Sequence, residues 1–412
     1  PSTFIGKSAG ENITTGVENV FVGYETGKNI TIGDKNTLIG TKAGGNIAGD
    51  SHSNTIIGYE ATKSDVSSYR TTHIGSQAGA NSLSSSLPGD SGADDSIFIG
   101  FRAGYNTTQA TNTLIGSESG YSNEDGRYNT YIGTQTGYLK IDGNTNIALG
   151  YKSAYSDKYG AENTFVGYRS GYYNIGSTSS AVSQYNVFFG NCAGYGNTTG
   201  KKNTYVGNKV AYKNEEGINN VILGSEANGS ETIGDNNAQE LCIVGYQSFY
   251  NNQGNSNTSL GYQSGYTNTT GTENTFIGSY SGKNNQTGNY NTYIGYHTGS
   301  ENNIGVSNTL IGYESNKGST NDTDINKITS IGFQCLKNNQ GDSNTAIGYQ
   351  AGYSKTLGRW NTLLGYKAGY YNTTGDYNIL IGHESNLGVE VGDSISNVVS
   401  IGYQCLKNNQ GT

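Results

Sequence analysis

An apolar residue followed by Gly returns along the whole chain, most often every 17 residues. The Gly of each pair falls at Gly6, Gly23, Gly40, Gly58, Gly75, Gly100, Gly116, Gly133, Gly150, Gly167, Gly190 and Gly207. It continues at Gly224, Gly245, Gly261, Gly278, Gly295, Gly312, Gly332, Gly348, Gly365, Gly382 and Gly402. A period of this length means that one short supersecondary unit is stacked many times, each copy too small to bury its own apolar face. The pattern around each anchor is N-T-φ-I-G-x-x-[AS]-G-Y-x-N-T-T-G, and it leaves no room for a second kind of domain. The expected fold is all-β: a parallel β-roll or β-solenoid of about 23 coils, running through residues 1–412 as a fragment of a longer fibre.

The columns of the repeat have separate physical meanings. The residue before each anchor is apolar, from Ile5 and Val22 to Ile381 and Ile401. Three before it stands Thr or, less often, Val, Ile or Cys, nearly all β-branched, which suits a strand. Alternate strand residues share a face, and this pair of columns is expected to face the interior. A small residue three after the anchor fits a thin core. The opposite face carries Phe4, Phe21, Leu38, Ile56, Phe98, Leu114, Tyr131, Phe165, Phe188, Tyr205, Ile222, Ile243, Phe276, Tyr293, Leu310, Leu363 and Leu380. Left outside, it would be an apolar stripe of the kind that marks an interface, so it is expected to pack against other copies of the chain. His73, Ser259, Ser330 and Ser400 interrupt it. The alternative is a second packed layer inside one wide coil.

Asn recurs four before the anchor, at Asn19, Asn36, Asn54, Asn112, Asn129, Asn163, Asn203, Asn274, Asn291 and Asn361 among others. Asn is a turn former, but at strand spacing its amides can also bond from coil to coil as a ladder. Tyr recurs one after the anchor (Tyr24, Tyr151, Tyr296) and five after it (Tyr105, Tyr138, Tyr353). Stacking ladders are the expected use, an aromatic platform for sugars the other.

Composition narrows the function. Gly numbers 63 of 412, about twice its usual ~7% share, yet with only 2 Pro and no every-third spacing this is not collagen. No apolar run is long enough to span a membrane as a helix. A net charge of −8 makes nucleic acid a poor partner. Five polar insertions are expected as surface loops, near 80–95, 173–186, 228–240, 316–328 and 386–398. Their acids (Asp90, Asp94, Asp95, Glu231, Asp235, Glu240, Asp322, Asp324, Glu390, Asp393) are oxygen ligands of the type Ca²⁺ takes, but no known calcium-loop spacing is present, and solvated charge is the plainer account. Cys192, Cys242, Cys335 and Cys405 read as small buried thiols, and four scattered His form no metal set. No nucleophile–base–acid set and no phosphate-binding loop stands out, so neither catalysis nor a cofactor is expected. Ten N-x-S/T sequons, including Asn12, Asn197, Asn268 and Asn372, would be glycosylated only on a eukaryotic secretory route.

The segments 343–353 (SNTAIGYQAGY) and 330–341 (SIGFQCLKNNQG) carry a resemblance. They are similar to the head repeats of trimeric autotransporter adhesins, whose coils hold an N-S-V-A-I-G core. They are closer still to the N-T-A-I-G-Y-Q-A arrays of phage and large-virus tail-fibre-like proteins. The resemblance implies a homotrimer of left-handed parallel β-rolls, an extracellular location on a cell or virion surface, and cell-surface glycans or a host receptor as targets. It implies no binding residue, because this coil is longer than the adhesin coil and carries insertions. The resulting expectation is a structural, adhesive fibre without enzymatic activity or direct membrane insertion. A glycan-binding or glycan-cleaving tailspike and an ice-binding solenoid, the latter prompted by the Thr column, are the alternatives.

Overall fold

The computed structural model describes residues 1–47, 49–64, 69–82, 94–176, 183–230, 237–318, 325–388 and 394–408. Most of each insertion lies outside these residues, and so do Asp90, Glu231, Asp235, Asp322, Asp324, Glu390 and Asp393. The chain divides into two compact units, Pro1–Glu216 and Gly217–Thr412.

Among the described residues there is no helix, and one three-residue strand precedes each anchor Gly, from Thr3–Ile5 to Val399–Ile401. Within each unit successive strands pair in parallel and in register, so that Tyr131 lies beside Leu114 and Ala148, and Leu310 beside Tyr293 and Ser330. The ladder is the stacking the repeat requires: each coil satisfies its strand hydrogen bonds on its neighbours. A second, shorter pairing joins Ile30–Ile32 to Gly49–Asp50 in the first unit.

The anchor must be Gly for a steric reason. Gly133 has φ +137°, and a Cβ built on it would stand 2.5 Å from the carbonyl oxygen of Gly150 in the next coil. Only a residue without Cβ lets two coils approach so closely with positive φ.

The structure reverses the face assignment of the strands. Phe21, Leu38, Ile56, Phe98, Leu114, Tyr131, Phe165, Phe188, Tyr205, Ile222, Ile243, Phe276, Tyr293, Leu310, Leu363 and Leu380 are buried inside their own coils, and Phe4, in the first coil, is 40% exposed. They are the core and form no outer stripe. The columns one and three before the anchor, expected inside, point outward, as the half-exposed, buried, half-exposed pattern of Thr309–Ile311 shows. The reason is volume. Gly four after the anchor opens space that only the large side chain fills: a Cβ on Gly137 would sit 2.5 Å from the Tyr131 ring, and one on Gly194 2.4 Å from the Phe188 ring. Where the strand offers only Ser, bulk comes from the position four after an anchor. Leu336 supplies it in the coil of Ser330, and Phe249 supplies it from the coil before that of Ser259. Phe249 reaches past the coil of Ser259 to stack on Phe276, with centroids 5.5 Å apart.

Candidate functional site: an uncharged strand face

Three outward columns lie along the sheet of each unit, at three before, one before and one after the anchor. None of the strand positions among them is charged, and the third column carries only Lys7 and His383 as basic groups. In the second unit the face is most regular. Thr258, Thr275, Thr292, Thr309, Thr329, Thr345 and Thr362 follow one another in register on consecutive strands. Beside them run Leu260, Ile277, Ile294, Ile311, Ile331, Ile347 and Leu364, of which Leu260 is 50% exposed. The third column forms a ridge of stacked rings: Tyr296, Tyr313, Phe333, Tyr349, Tyr366, His383 and Tyr403, with centroids 4.7–5.4 Å apart. Each ring face is covered by the next ring, which leaves edges and hydroxyls outward and removes the flat surface a sugar would stack on. In the first unit the same columns are less uniform, with Ile97, Ile147 and Val187 in place of Thr and with Ser76, Ser117 and Thr134 in place of rings.

Charge lies on both sides of this face, two residues after the anchor and, as at Arg70, Asp95, Glu240 and Lys327, five before it. Gln135 Nε2 donates to Glu118 at 2.8 Å, Gln247 Nε2 to Glu226 at 2.7 Å and Gln334 Nε2 to Glu314 at 2.8 Å. Lys337 and Lys317 also meet Glu314, and Lys407 meets Glu384. These partners hold the Glu384 and Glu314 carboxyls below the usual range, against the burial that opposes it at Glu314. Arg70 does the same for Asp95. The carboxyl held above its usual range, by burial, is Asp157, which is fully enclosed. A glycosidase needs a raised acid within reach of its substrate, and no such group is exposed among the described residues. Nor do the described His, Cys, Asp and Glu form a group of three able to hold a metal. Asp94 caps a backbone amide, accepting from Tyr69 N at 2.8 Å.

The Asn column four before the anchor bonds from coil to coil. Asn129 N donates to Asn112 Oδ1 at 2.9 Å and Asn146 N to Asn129 Oδ1 at 2.9 Å. Asn291 N donates to Asn274 Oδ1 at 3.0 Å, while Asn291 Nδ2 donates to Gly305 O at 2.7 Å. Asn19, Asn36 and Asn54 share the pattern, as do Asn163, Asn203 and Asn361. Where Asn gives way to Thr71 or Ser96 the column continues through a hydroxyl or a main-chain amide.

Sequence reasoning missed a second buried polar column, seven after the anchor: Asn123, Lys140, Asp157, Asn174 and Asn197 in the first unit, and Asn252, Asn268, Asn285, Asn302, Asn339, Lys355 and Asn372 in the second. The recurring N-T-T-G turn was its signal, read instead as a turn or a sequon. Burial closes Asn197, Asn257, Asn268, Asn285 and Asn372 to glycosylation of the folded chain, whereas Asn12, Asn29 and Asn106 remain accessible. The thiols also divide. Cys192 and Cys335 are buried, with burial pushing Cys335 up to about 12, but Cys242 stands on the outer face and is exposed, and Cys405 is half-exposed.

The chain matches no protein-family model, no curated protein and no solved structure.

Proposed function

We propose that the chain is a segment of a structural, adhesive extracellular fibre in which the uncharged strand face packs against two further copies, giving a trimer of parallel rolls, left-handed as the resemblance implies. The observation that carries this reading is the exposed face itself: a Thr and Ile/Val/Leu surface, with Phe189 and Cys242 in it, free of strand charge and flanked by charged and polar residues. Surfaces of that extent mark association sites, and identical strands in register repeat the same contact many times, so that weak contacts add along the sheet. The trimer argument thus rests on the columns one and three before the anchor, not on the buried aromatic column. The fibre serves as a stiff spacer that presents attachment contacts to cell-surface glycans or a host receptor.

The native mass in solution tests it. Light scattering should return three times 43.6 kDa, and a charge placed on the face, as in Ile311→Lys, should return the single-chain mass. A single-chain mass for the unaltered protein overturns the trimer.

One observation favours a second reading. The seven threonines from Thr258 to Thr362 stand outward in register, so their interchange with Val and Ile no longer places them inside. A flat array of hydroxyls and methyls at strand spacing is a surface that ordered water can match. The two readings exclude each other on the same face: a single chain with thermal hysteresis is an ice-binder, and a trimer without it is a fibre.

A further inference from the structure

In the buried column seven after the anchor, two successive coils of the first unit carry Lys140 and Asp157 where their neighbours carry Asn. Both side chains are fully enclosed, and Lys140 Nζ lies 3.2 Å from Asp157 Oδ2. The other carboxyl oxygen, Oδ1, accepts from the Gly160 main-chain amide at 2.8 Å and from Asn174 Nδ2 at 3.3 Å. Lys140 Nζ is also held by the carbonyl oxygen of Gly160. The Tyr131 hydroxyl is buried in the same coil as Lys140, and burial first, then the Asp157 charge, opposes its ionisation.

An ion pair in such a place is poorly served. Taking both charges out of water costs more than their attraction returns unless every remaining donor and acceptor is matched. Burial accordingly lowers Lys140 and raises Asp157, each against the pull of the other. Both shifts favour an uncharged amine against an uncharged carboxylic acid, the forms that can condense, and two donors are aimed at one acid oxygen.

We propose that Lys140 and Asp157 are joined by an intrachain isopeptide bond, formed by the chain itself with loss of one water, that staples two successive coils of the first unit. The Nζ lone pair attacks Asp157 Cγ, and the negative charge that develops on Oδ1 meets the Gly160 N–H and the Asn174 amide, the arrangement that stabilises an oxyanion. One Nζ proton passes directly to the departing Oδ2 hydroxyl, 3.2 Å away. The Cγ–Oδ2 bond breaks, water leaves and a neutral secondary amide remains. Reactants and products are all neutral, so the step needs no co-reactant. Fixed proximity in a dry site supplies what a bimolecular condensation in water lacks.

The second unit holds a comparison. Lys355 occupies the same column, and its Nζ donates to Gly375 O at 2.7 Å, but its column neighbours are Asn339 and Asn372. Neither column neighbour is a carboxylic acid, and no hydrogen bond joins Lys355 to one among the described residues.

Intact mass spectrometry of the denatured chain tests the bond. The expected mass is that of the sequence less one water, with proteolysis giving one branched peptide that joins the segments around Lys140 and Asp157. Lys140→Asn, which installs the usual residue of the column, should restore the full sequence mass, and Lys355→Asn should keep the deficit. A full sequence mass for the unaltered chain, with Lys140 in a linear peptide, overturns the proposal. So does a deficit that survives Lys140→Asn, because an Asp142–Gly143 succinimide would lose the same water without involving the lysine. The branched peptide is read on the unaltered chain, so it decides the matter even if a variant fails to fold.

Discussion

The two units build a seven-ring aromatic stack from the same coil, but at different positions. In Pro1–Glu216 the continuous stack lies five after the anchor, from Tyr105 through Tyr121, Tyr138, Tyr155, Tyr172 and Tyr195 to Tyr212, at 4.8–5.2 Å. These rings are half-buried, and Arg102, Lys152, Arg169 and Lys209 lie 5.1–5.9 Å from ring centres along it. In Gly217–Thr412 the corresponding column is broken by Lys283, Lys317 and Lys337, and the continuous stack, from Tyr296 to Tyr403, stands one after the anchor on the uncharged face. A coil therefore stacks rings wherever consecutive copies supply them, and position decides the use. Half-buried and flanked by cations, the stack adds to the cohesion of its own unit. Exposed beside the Thr and Ile columns, it belongs to the face proposed above to associate.

Substitutions that act on both units alike set the baseline. Gly133→Ala in the first and Gly295→Ala in the second each push a Cβ to within 2.5 Å of the next coil's carbonyl oxygen at strongly positive φ. Each should cost about 3 kcal/mol or more, read as a matched loss in thermal unfolding; tolerance in either unit would show that its coils can separate. Acid should then tell the units apart. His73, in the first unit, is fully buried, stacks on Phe98 at 4.4 Å and meets Thr62 Oγ1 at 2.6 Å, and burial lowers it to about 3. Unfolded, it takes up a proton below about 6.5, whereas folded it does so only near 3. Its contribution is complete above pH 6.5 and is lost as the pH falls from 6.5 towards 3, amounting to about 3 kcal/mol by pH 4. His297 in the second unit is shifted the same way but is less enclosed, so acid unfolding should begin in the first unit. His73→Leu should abolish the difference, and an unchanged acid midpoint would sink this account.

Asn291→Ala removes the acceptor for Asn308 N and the donor to Gly305 O. It should cost about 2 kcal/mol in chemical denaturation, as should Asn129→Ala in the first unit; a loss near zero would reduce the ladder to a turn preference. Tyr138→Leu should cost about 1 kcal/mol in the first unit, whereas Tyr349→Leu, on an exposed ring, should change single-chain stability by less than about 0.5 kcal/mol. Tyr349→Leu should instead weaken association, measured as a concentration-dependent fall in native mass. Equal effects on both quantities at the two sites would erase the distinction between cohesive and interacting stacks.

Much of this was legible in the residues. The period gave strand length, register and the anchor, because an apolar–Gly pair every 17 residues admits little besides stacked coils. The Asn column was legible as a possible ladder, since spacing along the stack follows from strand pairing alone. The pairing of large side chains two before the anchor with Gly four after it could have identified the core. It went unread because each column was taken singly, while volume is filled by two columns at once.

The sequence by itself determined that a strand precedes each anchor, which of its residues share a face, and that the coils must stack. Only the tertiary structure decided which face is the inside. A three-residue strand with apolar residues on both faces has no inward direction of its own, since alternation labels two sides without ranking them. The choice was made by the far wall of the coil, where glycine opposite Tyr131 and Phe188 leaves room for a ring and no room for a side chain of its own. The same closure brought Lys140 onto Asp157 across 17 residues of chain, in a column where composition alone shows only two more charges.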